Sequence, residues 1–249
     1  MDKDFIVAIP SYKRADEQIS LNCLKSLGFT KTEIYLFVQT EDDKRAYEDT
    51  WSDDATVIYR PASSISEARN NILRYFNGSQ NILMMDDDIK RFGRLVGNKI
   101  EDITEGDVFV KLINECFKFT SKRGSLFGIY PVYNGYFMEK SISTMVTVNT
   151  VLGFCKRSHL YFDETLTAKE DIDMCGNILR NGGRVFRFNF LAVDAKHRTN
   201  DGGCKDVWNS DKNEKAVRTL CMRYSNIFAP KKNNPKEVRL ICKDTKIKI

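Results

Sequence analysis

Three sequence fingerprints of common enzyme folds are missing from this chain of 249 residues. No Gly-x-Gly-x-x-Gly sequence follows the first predicted strand, and no Gly-x-x-x-x-Gly-Lys-Ser/Thr sequence occurs, so neither a dinucleotide-binding turn nor a phosphate-binding loop is indicated. A His-Glu-x-x-His sequence is also absent, and the chain has only two histidines, His159 and His197. Histidine-based catalysis therefore has few candidate residues.

Further absences concern the membrane and the redox environment. No apolar run approaches the roughly 20 residues of a membrane-spanning helix, and the first residues have no signal-peptide character. No two of the seven cysteines have the Cys-x-x-Cys spacing of a zinc site, and an odd number fits no closed set of disulfides. We therefore expect a soluble, cytoplasmic protein with reduced cysteines.

The composition supports a folded domain. Hydrophobic residues make up 42% of the chain and aromatic residues 11%, which is enough for a substantial core. The net charge of +5 is a small excess, but basic residues become more frequent after Lys196. This asymmetry permits a phosphate-rich partner without requiring one.

Strands and helices alternate in the first third of the chain. Short apolar runs predict strands at residues 4–9, 33–38, 56–59 and 82–85. Apolar residues at helical spacing fill the intervals, and Ser64 and Glu67 have the spacing of a capping box at the start of the third helix. Strand–helix units in this order predict an α/β fold with a Rossmann-like, mostly parallel central sheet flanked by helices.

The rest of the chain is less regular. Helices are predicted at residues 104–119, 170–180 and 211–224, and strands at residues 126–130, 144–154, 185–190 and 238–242. We also expect a small mixed second sheet. We expect one domain over residues 1–200 and a basic C-terminal extension over residues 201–249 that packs on this domain or trails from it.

Three consecutive aspartates, Asp86, Asp87 and Asp88, follow the fourth predicted strand. The carboxyl end of a buried strand is where open α/β sheets place their ligand crevice. In extended chain Asp86 and Asp88 point to the same side and Asp87 to the other. Such a pair suits a hard divalent cation that also binds substrate phosphates. The alternative is a solvated acidic loop that caps the strand.

Other polar residues could complete a site around this triplet. A lone histidine is more often a hydrogen-bonded core or surface residue, but His197 could join the aspartates as a metal ligand. Glu170, Asp171 and Asp173 begin a predicted helix, where acids favour the helix dipole. Three acids exceed what capping needs, and one at the mouth of a cleft could accept a proton.

Basic and amide side chains near the predicted sheet edge could bind an anionic ligand. Each of Arg14, Arg69 and Asn70 alone would be an ordinary surface residue. Together they would supply charge-assisted and amide hydrogen bonds.

Four segments of the sequence, taken in order, resemble one family of enzymes. They are Ile9-Pro10-Ser11-Tyr12-Lys13-Arg14, Glu67-Ala68-Arg69-Asn70-Asn71, Met85-Asp86-Asp87-Asp88-Ile89 and Lys169-Glu170-Asp171-Ile172-Asp173. Over roughly the first 200 residues the chain resembles the nucleotide-sugar glycosyltransferases of the GT-A fold. The acidic triplet looks like their Asp-x-Asp motif and the later acids look like their Glu-Asp motif.

A narrower resemblance is to the TET-associated glycosyltransferases of bacteriophages, which add sugars to hydroxymethylated pyrimidines in phage DNA. The Asp86-Asp87-Asp88-Ile89 run, and His197 followed by Gly202-Gly203, carry this resemblance. It implies a hexosyl- or pentosyltransferase that takes its sugar from a nucleotide-sugar, with a UDP-sugar as the favoured donor. It also implies DNA containing hydroxymethylcytosine or a related base as the partner, and the host cell cytoplasm as the location if a phage encodes the protein.

The resemblance also assigns roles to residues. Asp86 and Asp88 would hold Mn²⁺ or Mg²⁺ against the donor diphosphate, with His197 as a third ligand. Donor binding would involve the following residues: Pro10, Tyr12, Arg14, Arg69, Asn70, Asp86 and Asp87, of which the first three line the nucleotide pocket and Arg69 and Asn70 meet the ribose or base. Asp171, or less favourably Glu170, would face the acceptor hydroxyl and act as the general base if the enzyme inverts the anomeric centre.

The residues leave other functions open. The same donor chemistry could serve a glycan, a protein or a small molecule as acceptor, and a nucleotidyltransferase also combines a parallel sheet, carboxylates and a metal. A non-catalytic binding module is a further alternative. DNA as the acceptor is favoured by the basic C-terminal residues, with Trp208 or Tyr136 available to stack on a flipped base. A lysine-rich terminus can instead be a solvated tail.

Overall fold

The computed structural model describes residues 3–166, 168–196 and 211–249. The helices among these residues are α1 (Ile19–Ser26), α2 (Glu41–Trp51), α3 (Ile65–Phe76), α4 (Gly106–Ser121), α5 (Glu170–Arg180) and α6 (Asp211–Arg223), with 3-10 turns at Lys31–Glu33 and Gly135–Phe137. The strands are β1 (Phe5–Ser11), β2 (Ile34–Val38), β3 (Thr56–Tyr59), β4 (Asn81–Met85), β5 (Ile89–Val96), β6 (Lys99–Asp102), β7 (Leu126–Tyr130), β8 (Ser141–Ser143), β9 (Val151–Phe154), β10 (Val185–Ala195), β11 (Phe228–Lys231), β12 (Asn234–Leu240) and β13 (Lys246–Lys248).

One large central sheet organises the molecule. Its strands follow the order β13-β8-β10-β7-β9-β4-β1-β2-β3, and β5 branches from β10 and pairs with β6. The half built by β1 to β4 is parallel, whereas β9 lies antiparallel to both β4 and β7. The predicted α/β fold, with a central sheet flanked by helices and a small second sheet, is confirmed. The second sheet, β11 with β12, is antiparallel rather than mixed.

Both faces of the central sheet are covered, which explains the continuous apolar runs of its strands. Along β1, Phe5, Val7 and Ile9 pack in one buried cluster, and Ile6 and Ala8 pack in another. Side chains from α1, α2 and α4 complete the first cluster, and side chains from α3, α5 and α6 complete the second. The helices therefore lie in two layers, with α4 and α6 on opposite faces.

The first strand is longer than the sequence indicated. The predicted strand ends at residue 9, before Pro10, but β1 continues through Pro10, which is in register with Phe37 of β2, to Ser11. On the other side, pairing with β4 ends where Ala8 meets Met84. Pro10 therefore has a strand neighbour on one side only, a position at which a missing N–H group is tolerated.

The single strand predicted at residues 144–154 is also wrong. The structure has β8 before this segment and only β9 within it, and the hairpin β5–β6 was not predicted. The main-chain N–H groups of Thr144 and Met145 both donate to Asp244 Oδ1, at 3.1 Å each. Because a side chain from the C-terminal segment satisfies these groups, they have no need of a strand partner.

Residues 211–249 pack against the same body as the first strands. Leu220 of α6 and Phe228 of β11 lie in the second buried cluster, and β13 extends the central sheet beside β8. The cysteines of the described ranges form no disulfide, and four of them are buried. None of the described helices is both long and apolar enough to cross a bilayer.

Candidate active site

The acidic triplet forms a turn rather than an extension of β4. The strand ends at Met85, and Asp87 and Asp88 turn the chain into β5. The premise that the triplet is extended is therefore wrong. Asp87 is nevertheless buried while Asp86 and Asp88 stay partly exposed, because hydrogen bonds draw the central carboxylate inward.

Asp87 is held by the loop that follows β1. Ser11 Oγ donates to Asp87 Oδ2 at 2.5 Å, and Arg14 Nη1 forms an ion pair with Asp87 Oδ1. Ser11 Oγ also lies 2.7 Å from the hydroxyl of Tyr47 and accepts a hydrogen bond from Gln18 Nε2 at 2.8 Å. Burial raises the pKa of Asp87, and Arg14 and Ser11 oppose that rise. The turn is therefore tied to the carboxyl end of β1 by a buried polar network.

The predicted nucleotide-pocket residues lie along this same loop. Pro10 is buried near the end of β1, and Tyr12 is partly exposed in the turn beyond it. The ammonium of Lys13 lies 5.0 Å from the centre of the Tyr12 ring. The backbone of Lys13 has a φ of 55°. Arg14 completes the loop through its contact with Asp87. Of the three residues, Arg14 therefore contacts the acidic turn directly, and Pro10 and Tyr12 flank Ser11, which binds the same carboxylate.

Arg69 joins the two acidic motifs. Its guanidinium donates to Asp86 Oδ1 at 2.8 Å and to Glu170 Oε1 at 2.7 Å. Both Arg69 and Glu170 are 6% exposed, so Arg69 is not the surface residue that the sequence suggested. Burial alone would lower the pKa of Arg69, but Glu170, Asp86 and Asp171 raise it above the ordinary value. A permanently charged guanidinium thus holds α5 against the acidic turn.

We expect Arg69→Met to destabilise the protein by about 3–5 kcal/mol, because it leaves carboxylates without their buried cation. Urea unfolding would measure the loss. Arg74→Met is the matched control on the same helix, since Arg74 forms an exposed ion pair with Glu164 at 2.7 Å. That change should cost less than about 1 kcal/mol. Equal losses in the two variants would contradict a bridging role for Arg69.

Asp171 and Glu170 begin α5, as the sequence predicted, but their environments differ. The carboxylate of Glu170 is bound to Arg69, whereas Asp171 Oδ1 accepts only a main-chain hydrogen bond in the described contacts, from Ile172 at 2.7 Å. Burial, followed by the charge of Glu170, raises the pKa of Asp171 to about 7, and Arg69 opposes the shift. A carboxyl with such a pKa is suited to proton transfer near neutral pH.

The third acid of this cluster, Asp173, has a structural role. Its Oδ1 accepts hydrogen bonds from Arg223 Nη1 and from the hydroxyl of Tyr224, each at 3.0 Å. Arg223 also pairs with Asp163 at 2.5 Å. Asp173 therefore anchors the C-terminal segment to α5.

Asn70 follows Arg69 in α3 and is 1% exposed. Its Oδ1 accepts from the N–H of Phe162 at 2.8 Å, and its Nδ2 donates to the main-chain oxygen of Phe162 at 2.9 Å and to Glu164 Oε1 at 2.7 Å. The amide thus fixes the loop before α5. Contact of Asn70 with a ribose or base stays a prediction. Asn70 would make such a contact in addition to its hydrogen bonds with Phe162 and Glu164.

Ser20, which sequence reasoning missed, shapes the acidic turn. Its hydroxyl donates to the main-chain oxygen of Asp86 at 2.6 Å and accepts from the N–H of Ile89 at 2.8 Å. Its own N–H donates to the main-chain oxygen of Asp87 at 3.2 Å. The sequence did contain a sign of this role, because Ser20 is a polar residue at the helical spacing of Leu24 and Leu27, on the apolar stripe of α1.

We expect Ser20→Ala to destabilise the protein by about 1–3 kcal/mol, because the buried N–H of Ile89 loses its acceptor. Amide hydrogen exchange at Ile89 should become faster, and urea unfolding would give the free energy. Ser26→Ala is the control on the same helix, since the Ser26 hydroxyl donates only to the main-chain oxygen of Cys23 at 2.7 Å. Unchanged exchange at Ile89 in Ser20→Ala would refute the positioning role.

The residues present suit a divalent cation whose coordination is completed by a substrate. No group of three or more His, Cys, Asp or Glu residues arranged to hold a metal occurs in residues 3–166, 168–196 and 211–249. His197, the predicted third ligand, lies outside these ranges. Mg²⁺-type sites commonly use one or two carboxylates and complete their coordination with phosphates and water. Asp86 and Asp88, both partly exposed beside buried Asp87, offer such a pair.

Comparisons with known proteins identify the family. The model of the TET-Associated Glycosyltransferase family matches residues 5–203. Curated proteins gave no match. Among solved structures, TarS 1-349 of S. aureus in complex with UDP is 17% identical, with a TM-score of 0.45, over 89% of this chain and 72% of that one.

Two further structures show a comparable degree of similarity. A cytidylyltransferase from Leptospira borgpetersenii is 11% identical, with a TM-score of 0.47, over 90% of this chain and 88% of that one. A putative nucleotide-diphospho-sugar transferase from Desulfovibrio desulfuricans G20 is 10% identical, with a TM-score of 0.47, over 90% of this chain and 99% of that one. The family match spans most of the chain and agrees with the resemblance carried by the four motifs. The chain therefore belongs to the TET-associated glycosyltransferase family and is a glycosyltransferase.

Proposed function

We propose that this protein transfers a sugar from a nucleoside diphosphate sugar to a hydroxyl group in a metal-dependent reaction. One observation carries the proposal. Arg69 contacts Asp86 of the acidic turn and Glu170 at the start of α5, so that both acidic motifs adjoin a single buried cation. This contact supports a single site in which carboxylates would hold a metal-bound diphosphate and a neighbouring carboxyl would transfer a proton.

The donor is assigned to the acidic turn and the loop after β1. Asp86 and Asp88 would hold Mn²⁺ or Mg²⁺, with His197 as the third ligand. When bound, the cation supplies charge neutralisation for the departing diphosphate, a contribution of several kcal/mol in a water-excluded cleft. Pro10, Tyr12 and Arg14 would line the nucleotide pocket, with uridine as the favoured nucleoside. The remaining donor residues in this proposal are Asp87, Arg69 and Asn70.

The acceptor is assigned to the start of α5. Asp171 would take the proton of the attacking hydroxyl if the reaction inverts the anomeric centre. Glu170 is the less favourable base, because its carboxylate is already engaged by Arg69 at 2.7 Å. Its charge instead contributes to the raised pKa of Asp171.

Activity should therefore depend on pH in one direction. A protonated Asp171 cannot accept a proton, so kcat/KM should rise about tenfold per pH unit at acidic pH and level off above a pH of about 7. The residual rate of Asp171→Asn should lack this dependence. Initial rates at subsaturating acceptor and constant ionic strength would test it, and a flat profile across this range would contradict the assignment.

We further propose that the acceptor is a hydroxymethylated pyrimidine in DNA. The family description and the basic C-terminal residues support this acceptor. DNA containing hydroxymethylcytosine or hydroxymethyluracil would be incubated with a panel of sugar nucleotides and Mn²⁺, and mass spectrometry should detect bases that gain one sugar. Transfer only to glycan, protein or small-molecule acceptors would refute the DNA acceptor. Release of pyrophosphate with a new sugar nucleotide would indicate a nucleotidyltransferase instead.

A further inference from the structure

Positive charge in this protein is concentrated in its C-terminal segment. Residues 211–249 contain 11 Lys and Arg against four Asp and Glu, a net charge of +7. Residues 1–210 contain 28 against 30, a net charge of −2. The part of the chain that carries the site thus has a slightly negative net charge, and the segment that follows makes the net charge of the whole molecule positive.

Within this segment, β11, β12 and the turn between them form what we call the basic hairpin (residues 228–240). One side of it is apolar: Phe228 is 1% exposed, and Val238 and Leu240 pack against the same buried cluster. The exposed side chains of Lys231, Lys232, Asn233 and Arg239 line one depression. The hairpin is therefore fixed by its apolar side and presents cations, but no carboxylate, around the depression.

The cations of the basic hairpin differ from those around the site. Within the part of the chain that the structure describes, Lys231, Lys232 and Arg239 have no carboxylate at ion-pair distance. By contrast, Arg14 and Arg69 are neutralised by carboxylates inside the protein. The charge of the hairpin is consequently available to an external anion, and several phosphates in a row would satisfy it.

Three contacts attach the C-terminal segment to the start of α5. Lys169, which immediately precedes α5, lies 4.0 Å from Glu237 of β12. On the first turn of the helix, Asp173 binds Arg223 and Tyr224, which lie a few residues before β11. The basic hairpin therefore borders the end of α5 that carries Asp171.

We propose that the basic hairpin is a phosphate-docking surface that holds the backbone of a nucleic-acid acceptor beside Asp171. This inference rests on the proposed function. An enzyme that modifies a base must extrude it from the stack, and it then needs contacts that hold the strand without reading its sequence. Phosphate contacts from unpaired lysines and arginines supply such binding.

The test compares two charge-reversal variants with equal changes in net charge. K231E/K232E alters the basic hairpin, whereas K111E/K118E alters two exposed lysines of α4, on the opposite face of the sheet. Fluorescence anisotropy with a labelled DNA duplex should show about tenfold weaker binding for K231E/K232E, and a slope of log affinity against log salt reduced by about 2. K111E/K118E should bind as the wild type does.

Kinetic measurements separate docking from folding and from chemistry. In K231E/K232E, KM for an oligonucleotide acceptor should rise while kcat, donor hydrolysis and transfer to a free hydroxymethylated nucleoside stay at wild-type values. If the wild type glycosylates DNA and K231E/K232E keeps its KM, the docking surface is wrong but the proposed function stands. Equal weakening of both variants would leave only an effect of overall charge and would also overturn the docking surface. If the wild type neither binds nor modifies DNA, the proposed acceptor fails and the docking surface fails with it.

Discussion

Replacing Asp171 by asparagine should lower the rate of sugar transfer by about a hundred- to ten-thousandfold, the usual contribution of a general base. The amide keeps the size of the side chain but cannot take the proton of the acceptor hydroxyl. Donor binding should change little, because in our assignment the donor lies against the acidic turn and the loop after β1. Single-turnover kinetics would measure the rate, and calorimetric titration with the nucleotide-sugar would measure the affinity.

Asp107→Asn is the matched control for this change. Asp107 is an acid in the first turn of α4, so its loss also removes a favourable charge at a helix N-terminus. It should leave the transfer rate unchanged. A wild-type rate for Asp171→Asn together with a large loss for Glu170→Gln would move the base to Glu170. The pH profile would then need another explanation.

Asp88→Asn should abolish nearly all turnover. The change removes a negatively charged oxygen from the proposed cation site, and a bound cation contributes several kcal/mol to stabilising a leaving diphosphate. The fold of the turn should survive, because the main-chain oxygen of Asp88 accepts from the N–H of Lys196 at 2.9 Å and Ser20 holds the neighbouring groups. Initial rates across a Mn²⁺ titration would show whether more metal restores activity.

Asp53→Asn serves as the control for the metal experiment. Asp53 is an exposed acid in a turn after α2, so its loss makes the same change in charge outside the site. It should keep both the wild-type rate and the wild-type response to Mn²⁺. If Asp88→Asn transferred sugar at the wild-type rate under metal chelation, the proposal of a metal-dependent reaction would be wrong.

The sequence was most informative where structure depends on neighbours along the chain. Strand β3 and helix α5 have the predicted bounds. Ser64 caps α3 as expected, and its hydroxyl accepts from the N–H of Glu67 at 3.2 Å. The reciprocal half of the capping box differs, since the Glu67 carboxylate binds Ser63 at 2.7 Å. Apolar periodicity and first-turn chemistry are local, which is why they can be read without the fold.

The sequence predicted which residues belong to the candidate site, but it did not predict which of them contact one another. Nothing in the sequence indicated that Arg69 would bind Asp86 and Glu170 at once, or that Ser20 would hold the acidic turn. These contacts join positions from 17 to 101 residues apart. Such pairings depend on which strands become neighbours, and spacing within a motif carries no information about that.

The sequence by itself determined that this chain would form an α/β sheet with a cluster of acids at the carboxyl end of a buried strand, because burial and periodicity act residue by residue. It also determined the family, because four short motifs occur together in a fixed order. Only the tertiary structure decided that Asp173 anchors the C-terminal segment while burial and Glu170 raise the pKa of Asp171. The physical reason is that a carboxylate acquires its role from the cations and the buried volume around it, and distant parts of the chain supply both.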